Sequence, residues 1–362
     1  MRIDDYLRQM VDKGASDLYL KSGSAPVLRV DDALCPLSTE KLHAAGINDI
    51  IASLLSEEQR CRFNSDKEFD GARSVPDLGR FRFNIYMQRG TAAMTFRSIK
   101  TEIPAFEGLN LPADVLRGLV SQKRGLILVT GYAGCGKSTT IASMINYINE
   151  NFSRHIITVE DPIEFVHTDI KSIISQREIG ADTIDFRKAL RHIIRQSPDI
   201  IVIGEMRDAV TMQTAIMAAE TGHLVFSSLH TVDAAQTVDR IMNFFPIHAY
   251  PQIRMRLSRL LKGIISMRLV PRSDKPGRVP ACEIMLSTPT IKKCIAEGNT
   301  GQLASLIEEG AIFGMRSFNQ SLTTLLKNSV ISKESALAYA SNLEELILRL
   351  KNIMPGGGDR AR

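Results

Sequence analysis

Tryptophan is absent from the 362 residues and aromatic side chains make up only 6%, so a stacking platform for single-stranded nucleic acid would have to be assembled from few rings. The five cysteines, Cys35, Cys61, Cys135, Cys282 and Cys294, are odd in number, widely spaced and form no Cys-x-x-Cys pair. That pattern argues against a disulfide framework and against a zinc knuckle. No apolar run nears the ~18 residues that a membrane-spanning helix requires. The opening Met1-Arg2-Ile3-Asp4-Asp5-Tyr6 carries acids and no apolar core like that of a secretory signal, so a cytoplasmic location is expected. Charge of one sign is also scarce: 45 basic against 40 acidic residues leave +5, which permits contact with a phosphate-rich or membrane surface without requiring it. What is present is ordinary, 44% hydrophobic and 23% charged. This composition excludes a mostly disordered or collagen-like chain and predicts two to three domains at ~100–200 residues each.

The texture changes along the chain. In residues 1–100 a helix start is followed by short alternating segments, such as Arg80-Phe81-Arg82-Phe83-Asn84-Ile85-Tyr86, the pattern of half-buried strands in a small α+β domain. Residues 101–115 contain two prolines and one glycine without clear periodicity and read as a linker. From Gly125 short apolar runs end in glycine or acid and alternate with helical periodicity: LILVTG, HIITVED, DIIVIGE, HLVFSSLH. Runs of this kind predict an α/β core over 116–280, a parallel sheet with helices on both faces. Beyond Pro280 the pattern reads as a helical region over 281–362, ending in a PGGGDRAR tail expected to fray.

The densest chemical signal is Gly131-Tyr132-Ala133-Gly134-Cys135-Gly136-Lys137-Ser138-Thr139, a G-x-x-x-x-G-K-S loop between an apolar strand and a helical segment. Glycines let backbone amides curl around phosphates, and the following helix start adds partial positive charge. Lys137 is then expected to reach the β and γ oxygens and Ser138 to ligate Mg²⁺. Cys135 inside the loop is either a small tolerated residue or a redox-sensitive one.

Binding phosphate is not hydrolysis, so acids at neighbouring strand ends matter. Glu205 follows Ile200-Ile201-Val202-Ile203-Gly204, at the strand edge where ligands of such sheets sit. It is expected to hold Mg²⁺ through water. A second strand ends in Glu160-Asp161-Pro162-Ile163-Glu164. Glu164 is the candidate for aligning or deprotonating the attacking water, against the alternative of a solvated acidic loop. His230, ending the strand Leu224–Ser228, is either a sensor of the γ-phosphate or a packed histidine. Arg187, Arg191 and Arg195 share one helical face. Residues 252–278 carry eight basic side chains and one acid, Asp274. They are a nucleic-acid or membrane-surface candidate, but Ile253, Leu257, Leu260, Leu261, Ile264 and Met267 follow helical spacing, so an amphipathic core helix with a basic outer face is the expectation.

Taken in order, KGASDLYL (13–20), GRFRFN (79–84), GYAGCGKSTT (131–140), ITVEDPIEFVH (157–167), QRE (176–178), RQSPDIIVIGEMRD (195–208), ETGHLVFSSLHT (220–231), DRIMNFFP (239–246) and GMRSFNQSL (314–322) resemble the PilT/PilU family of type IV pilus retraction ATPases within the secretion ATPase superfamily. The resemblance implies a PAS-like N-terminal domain, a RecA-like P-loop core and a C-terminal helical region. It further implies a homohexamer with nucleotide between two domains and arginines from the first domain near the phosphates, for which Arg80, Arg82 and Arg97 are the candidates. Tyr132 and Cys135 stand where the family carries small or hydroxyl residues. Thr290–Gly298 is a loose form of the family's AIRNLIRE motif, and the IEEGAIFGMRSFNQSL stretch is nearer to the accessory PilU branch.

The expected function is therefore an ATP-hydrolysing, Mg²⁺-dependent hexameric motor. It would power pilus retraction from the cytoplasmic side of the inner membrane, against a platform protein and with a paralogous retraction ATPase as a further partner. The catalytic expectation falls on Lys137, Glu164, Glu205 and His230. Nucleotide binding is assigned to Gly131, Gly134, Cys135, Gly136, Lys137, Ser138 and Thr139 with the three arginines, and the metal to Ser138 and Glu205. A weak adaptor subunit, a pilus or secretion assembly ATPase and a nucleic-acid translocase are the alternatives. No nucleic-acid partner is expected, and the tetracysteine zinc site often carried by assembly enzymes has no counterpart.

Overall fold

The computed structural model describes residues 2–30, 33–99 and 102–353; the 355–362 tail expected to fray lies outside them. The chain separates into two units, residues 1–102 with 163–166, and residues 103–162 with 167–362.

In the first unit, α1 (Ile3–Asp12) leads into β1 (Asp17–Lys21), β2 (Val27–Val30) and β3 (Ala33–Pro36). Helices α2 (Ala44–Leu54) and α3 (Glu57–Asp66) follow, then β4 (Glu68–Val75), β5 (Gly79–Gln88) and β6 (Thr91–Ser98). The strands form one antiparallel sheet in the order β3-β2-β1-β6-β5-β4. The alternation in β5 works as expected: Phe81, Phe83 and Ile85 are buried with Leu7 and Met10 of α1 and Ile47, Ile50 and Ile51 of α2. The opposite face carries a row set by register, Arg29 on β2 beside Asp17 on β1, Asp17 beside Arg97 on β6, and Arg97 beside Arg82 on β5. The β5–β6 hairpin closes through Arg89 and Gly90, whose φ values of 48° and 76° suit the two-residue turn that matches strand twist.

The second unit opens with a 3₁₀ turn at Phe106–Leu109 and α4 (Ala113–Val120). The core then alternates β7 (Gly125–Thr130), α5 (Lys137–Asn151), β8 (His155–Glu160), β9 (Ile173–Glu178), α6 (Phe186–Ile193), β10 (Ile200–Ile203), α7 (Ala209–Glu220), β11 (Leu224–Leu229) and α8 (Ala234–Met242). It continues through α9 (Tyr250–Leu260) into β12 (Leu261–Pro271) and β13 (Arg278–Leu286). The sheet order is β13-β12-β7-β11-β10-β8-β9, parallel except for β13. Along β7, Leu126 and Leu128 enter one buried cluster and Ile127 and Val129 another. Both faces are thus covered, which is why the strand reads as a continuous apolar run. Three of the helices after strands start on aspartate caps: Asp185, Asp208 and Asp233 accept from the amides of Lys188, Thr211 and Gln236 at 2.6, 2.7 and 2.8 Å. Helices α10 (Pro289–Glu297), α11 (Leu303–Glu309), α12 (Phe318–Lys327), α13 (Lys333–Ala338) and α14 (Leu343–Ile353) complete the unit. The protein is α/β, with a parallel sheet core.

Two expectations about local structure change. The amphipathic pattern over 252–278 is not one helix: α9 stops at Leu260, and Ile264 and Met267 lie on β12. Apolar residues on a strand buried on both faces can mimic helical spacing by coincidence, and pairing with β7 decides the outcome. The segment read as a linker carries Phe106 and Leu111, both buried with the α5 side of the sheet.

Candidate functional site

The loop between β7 and α5 is shaped by close approaches that only glycine permits. At Gly131 (φ +140°) a Cβ would fall 2.5 Å from the Met267 carbonyl oxygen and 2.6 Å from Cys135 Sγ. Gly134 and Gly136 take φ of +73° and +101°, and Gly136 sits immediately before the first turn of α5. Tyr132 is exposed, whereas Cys135 is buried and burial raises its thiol pKa against the pull of Lys137. That favours the reading of Cys135 as a packing residue, because the reactive form of cysteine is the thiolate. Ser138 and Thr139 are half-buried in the first turn of α5.

From this loop a chain of charged and polar groups runs along the carboxyl-terminal edge of the sheet. The buried Lys137 ammonium donates to the carbonyls of Gly131 (2.8 Å) and Tyr132 (3.1 Å) and lies 3.3 Å from His230 Nδ1. An ammonium only donates, so Nδ1 accepts and the ring hydrogen sits on Nε2, which faces Glu205 Oε1 at 3.2 Å. The other oxygen of Glu205 accepts from Arg207 Nε at 2.9 Å, and Arg207 reaches Asp161 at 3.7 Å. His230 reaches this place because Leu229 pairs with Thr130. Glu205 reaches it because Gly204 lies against β8, where a Cβ would stand 3.4 Å from Glu160 Cα. Lys137, His230 and Glu205 are therefore brought together.

Glu164 is exposed and lies in the 163–166 segment of the first unit, outside this chain. Arg80, Arg82 and Arg97 share one face of the antiparallel sheet. Arg97 donates to Asp17 at 2.8 Å and Arg80 to Ser74 Oγ at 3.1 Å, while Arg82 is exposed beside Arg97. The cations of the 252–278 stretch do not act as one stripe. Arg256, Arg259 and Lys262, with Arg124, line a hollow of about 300 Å³ at the amino-terminal edge of the parallel sheet, where Arg256 pairs with Glu220 through two hydrogen bonds.

Several participants carried no sequence signal of their role. Met267 backs the loop: its carbonyl packs against Gly131 and its Sδ accepts from Thr140 Oγ1 at 3.2 Å. Thr130 donates to Ser266 across β7 and β12 at 2.9 Å. Glu160 accepts from Thr158 (2.6 Å) and Gln176 (3.2 Å). Thr140, Thr158, Glu160 and Gln176 stood inside motifs without a role of their own, whereas Met267 and Ser266 lay outside them, and Arg207, two residues after Glu205, could have been read from its spacing.

The glycine cradle, the ammonium and the helix start suit a nucleotide's phosphates. Among the described residues no group of three or more His, Cys, Asp or Glu side chains could hold a metal ion. Ser138 and Glu205 nevertheless suit Mg²⁺, which takes few protein ligands and completes its shell with phosphate and water. Among the described residues no helix is long and apolar enough to cross a membrane.

Known proteins resemble this chain over almost its whole length. The type IV pilus ATPase PilU of Pseudomonas aeruginosa is 39% identical over 97% of this chain and 92% of its own. The type IV pilus retraction ATPase PilT of the same organism is 40% identical over 93% and 97%. A crystal structure of the pilus retraction motor PilT with bound ADP superposes with a TM-score of 0.89 at 42% identity, covering 96% of this chain and 99% of that one. The family model for type II/IV secretion system proteins matches residues 2–312. With its phosphate loop and sheet-edge acid inside that match, the chain belongs to the type II/IV secretion system protein family.

Proposed function

We propose that this chain is an ATPase that powers type IV pilus retraction as a ring of six copies at the cytoplasmic face of the inner membrane, acting on a platform protein. The observation that carries the reading is the Lys137–His230–Glu205 chain beside a glycine loop, in a protein similar end to end to PilT and PilU. The amides around Gly131, Gly134, Cys135, Gly136 and Thr139 would hold the phosphates, with Lys137 on the β and γ oxygens. Ser138 and Glu205 would hold Mg²⁺, which supplies charge neutralisation to the phosphoryl group when bound. Glu164 would orient the attacking water and take its proton, and Arg80, Arg82 and Arg97 would stabilise the charge that develops on transfer. Arg82 supports this role: it is exposed and directly across from Arg97, which is itself paired with Asp17, so Arg82 is the like-charged member of the pair that an anion would relieve. His230, linked to both Lys137 and Glu205, would report the γ-phosphate to the metal side of the site.

The test is ATP hydrolysis and nucleotide binding by the purified protein. Lys137→Ala should abolish turnover, and Glu205→Ala should abolish turnover but spare most nucleotide binding; equal rates in wild type and both variants would sink the proposal. The near-equal identities to PilU and PilT support a second reading, an accessory subunit working with a paralogous motor. Retraction by a Lys137→Ala strain that still holds a partner motor would favour it.

A further inference from the structure

One buried acid has no part in the chemistry above. Glu283 lies on β13 between Ala281 and Met285, which share its face and are apolar, and it is only 7% exposed. Its Oε1 accepts the backbone N–H of Ala234, the first residue of α8, at 2.8 Å. Burial pushes its pKa up to about 7, Asp233 adds to the rise and Arg268 opposes it. Arg268, on β12, is largely committed elsewhere: it donates to the Tyr339 carbonyl at 2.8 Å and lies 3.8 Å over the Phe318 ring. A carboxylate kept in such a place is costly to ionise, so its position calls for a use.

The use is visible in what Ala234 anchors. Only residues 230–233 separate the end of β11 from α8. Leu229 is fixed by pairing with Thr130, and its carbonyl accepts from the Gly131 amide at 3.3 Å. The His230 side chain is 48% exposed, so packing does not hold it. We propose that Glu283 is a positioning residue for His230: by holding the first amide of α8 to β13 it pins the far end of the four-residue span that aims the imidazole between Lys137 and Glu205. Thr231 and Thr237, whose hydroxyls meet at 2.7 Å, brace the same span from inside. This inference depends on His230 taking part in turnover, as proposed above.

The experiment is a double-mutant cycle on the full-length protein, reading kcat and KM for ATP together with thermal melting. Glu283→Ala should lower kcat roughly tenfold or more, the scale of a misplaced group, with KM for ATP within about twofold. Glu283→Gln keeps an oxygen acceptor and should restore most of the lost rate. In a His230→Ala background, Glu283→Ala should cost no more than about twofold further. If Glu283→Ala does not fold, Glu283→Asp, which draws the acceptor back by one methylene, enters the same cycle with the same two outcomes. An equal loss with and without His230, or a Gln variant as slow as the Ala variant, overturns the proposal. A wild-type rate in His230→Ala would overturn the reading of His230 instead.

Discussion

The two ends of the parallel sheet are both rich in charge and behave differently. At the carboxyl-terminal edge, groups of opposite or complementary character follow one another, Lys137, His230, Glu205, Arg207, Asp161, each within 3.7 Å of the next. At the amino-terminal edge, Arg124, Arg256, Arg259 and Lys262 surround a hollow with Glu220 as the acid among its lining residues. There burial, Lys292 and Arg124 all lower the Lys262 pKa. Charge density therefore does not mark the reactive end. What marks it is a polar chain tied to backbone carbonyls at one end and reaching a strand-end carboxylate, within a sheet whose strands, β13 apart, all point that way.

This contrast can be broken most directly at its two lysines. Lys137→Ala should reduce ATP turnover by on the order of a thousandfold or more, and Lys262→Ala should leave it within about twofold; comparable losses in steady-state assays would erase the distinction. A smaller effect concerns pH. The folded-state pKa of Glu283 is raised from 4.5 to about 7, so its contribution to stability is full below pH 4.5 and is lost as pH rises through about 7. By the usual conversion this is about 3 kcal/mol. His167 runs the other way: burial lowers it from 6.5 to about 4, and its contribution is present above pH 6.5 and lost as pH falls through about 4. Denaturant titrations of Glu283→Gln at pH 5 and pH 8 should therefore show stability rising with pH more than in wild type. An unchanged pH dependence would mean that the Glu283 carboxyl ionises alike in the folded and unfolded chain and that burial does not raise its pKa. Asp208→Ala, which removes the acceptor for the Thr211 amide, should cost about 1 kcal/mol with little change in KM for ATP. Arg259→Ala, on the exposed amino-terminal edge, should change stability by less than about 0.5 kcal/mol.

Most of the reactive edge was legible because its determinants are local. The loop 131–139, Glu205 after its buried strand and His230 after the next are each announced within ten residues, and the parallel register then aligns them. Met267 and Glu283 were not legible in that sense. Their partners, Thr140 and Ala234, are distant in sequence, and nothing near either residue signals the contact. Met267 was further disguised by a spacing that suited a helix. The N-terminal arginines fall between these cases. Alternation placed Arg80 and Arg82 on one side of a strand, but only the pairing of four strands sets Arg82, Arg97, Asp17 and Arg29 in a line.

That line is governed from the tip of a hairpin. Because side chains change face at every step, the direction in which Arg97 projects depends on Arg89 and Gly90 closing the β5–β6 connection with two residues and no more. One extra residue at the tip, taken up by slipping β6 along β5, would turn Arg97 toward the phenylalanine-lined interior and drive Phe96 out into water. The reach of a guanidinium in this protein is thus counted out by a loop nine residues upstream of the strand's end, and shortening or lengthening that loop edits an arginine without touching its codon.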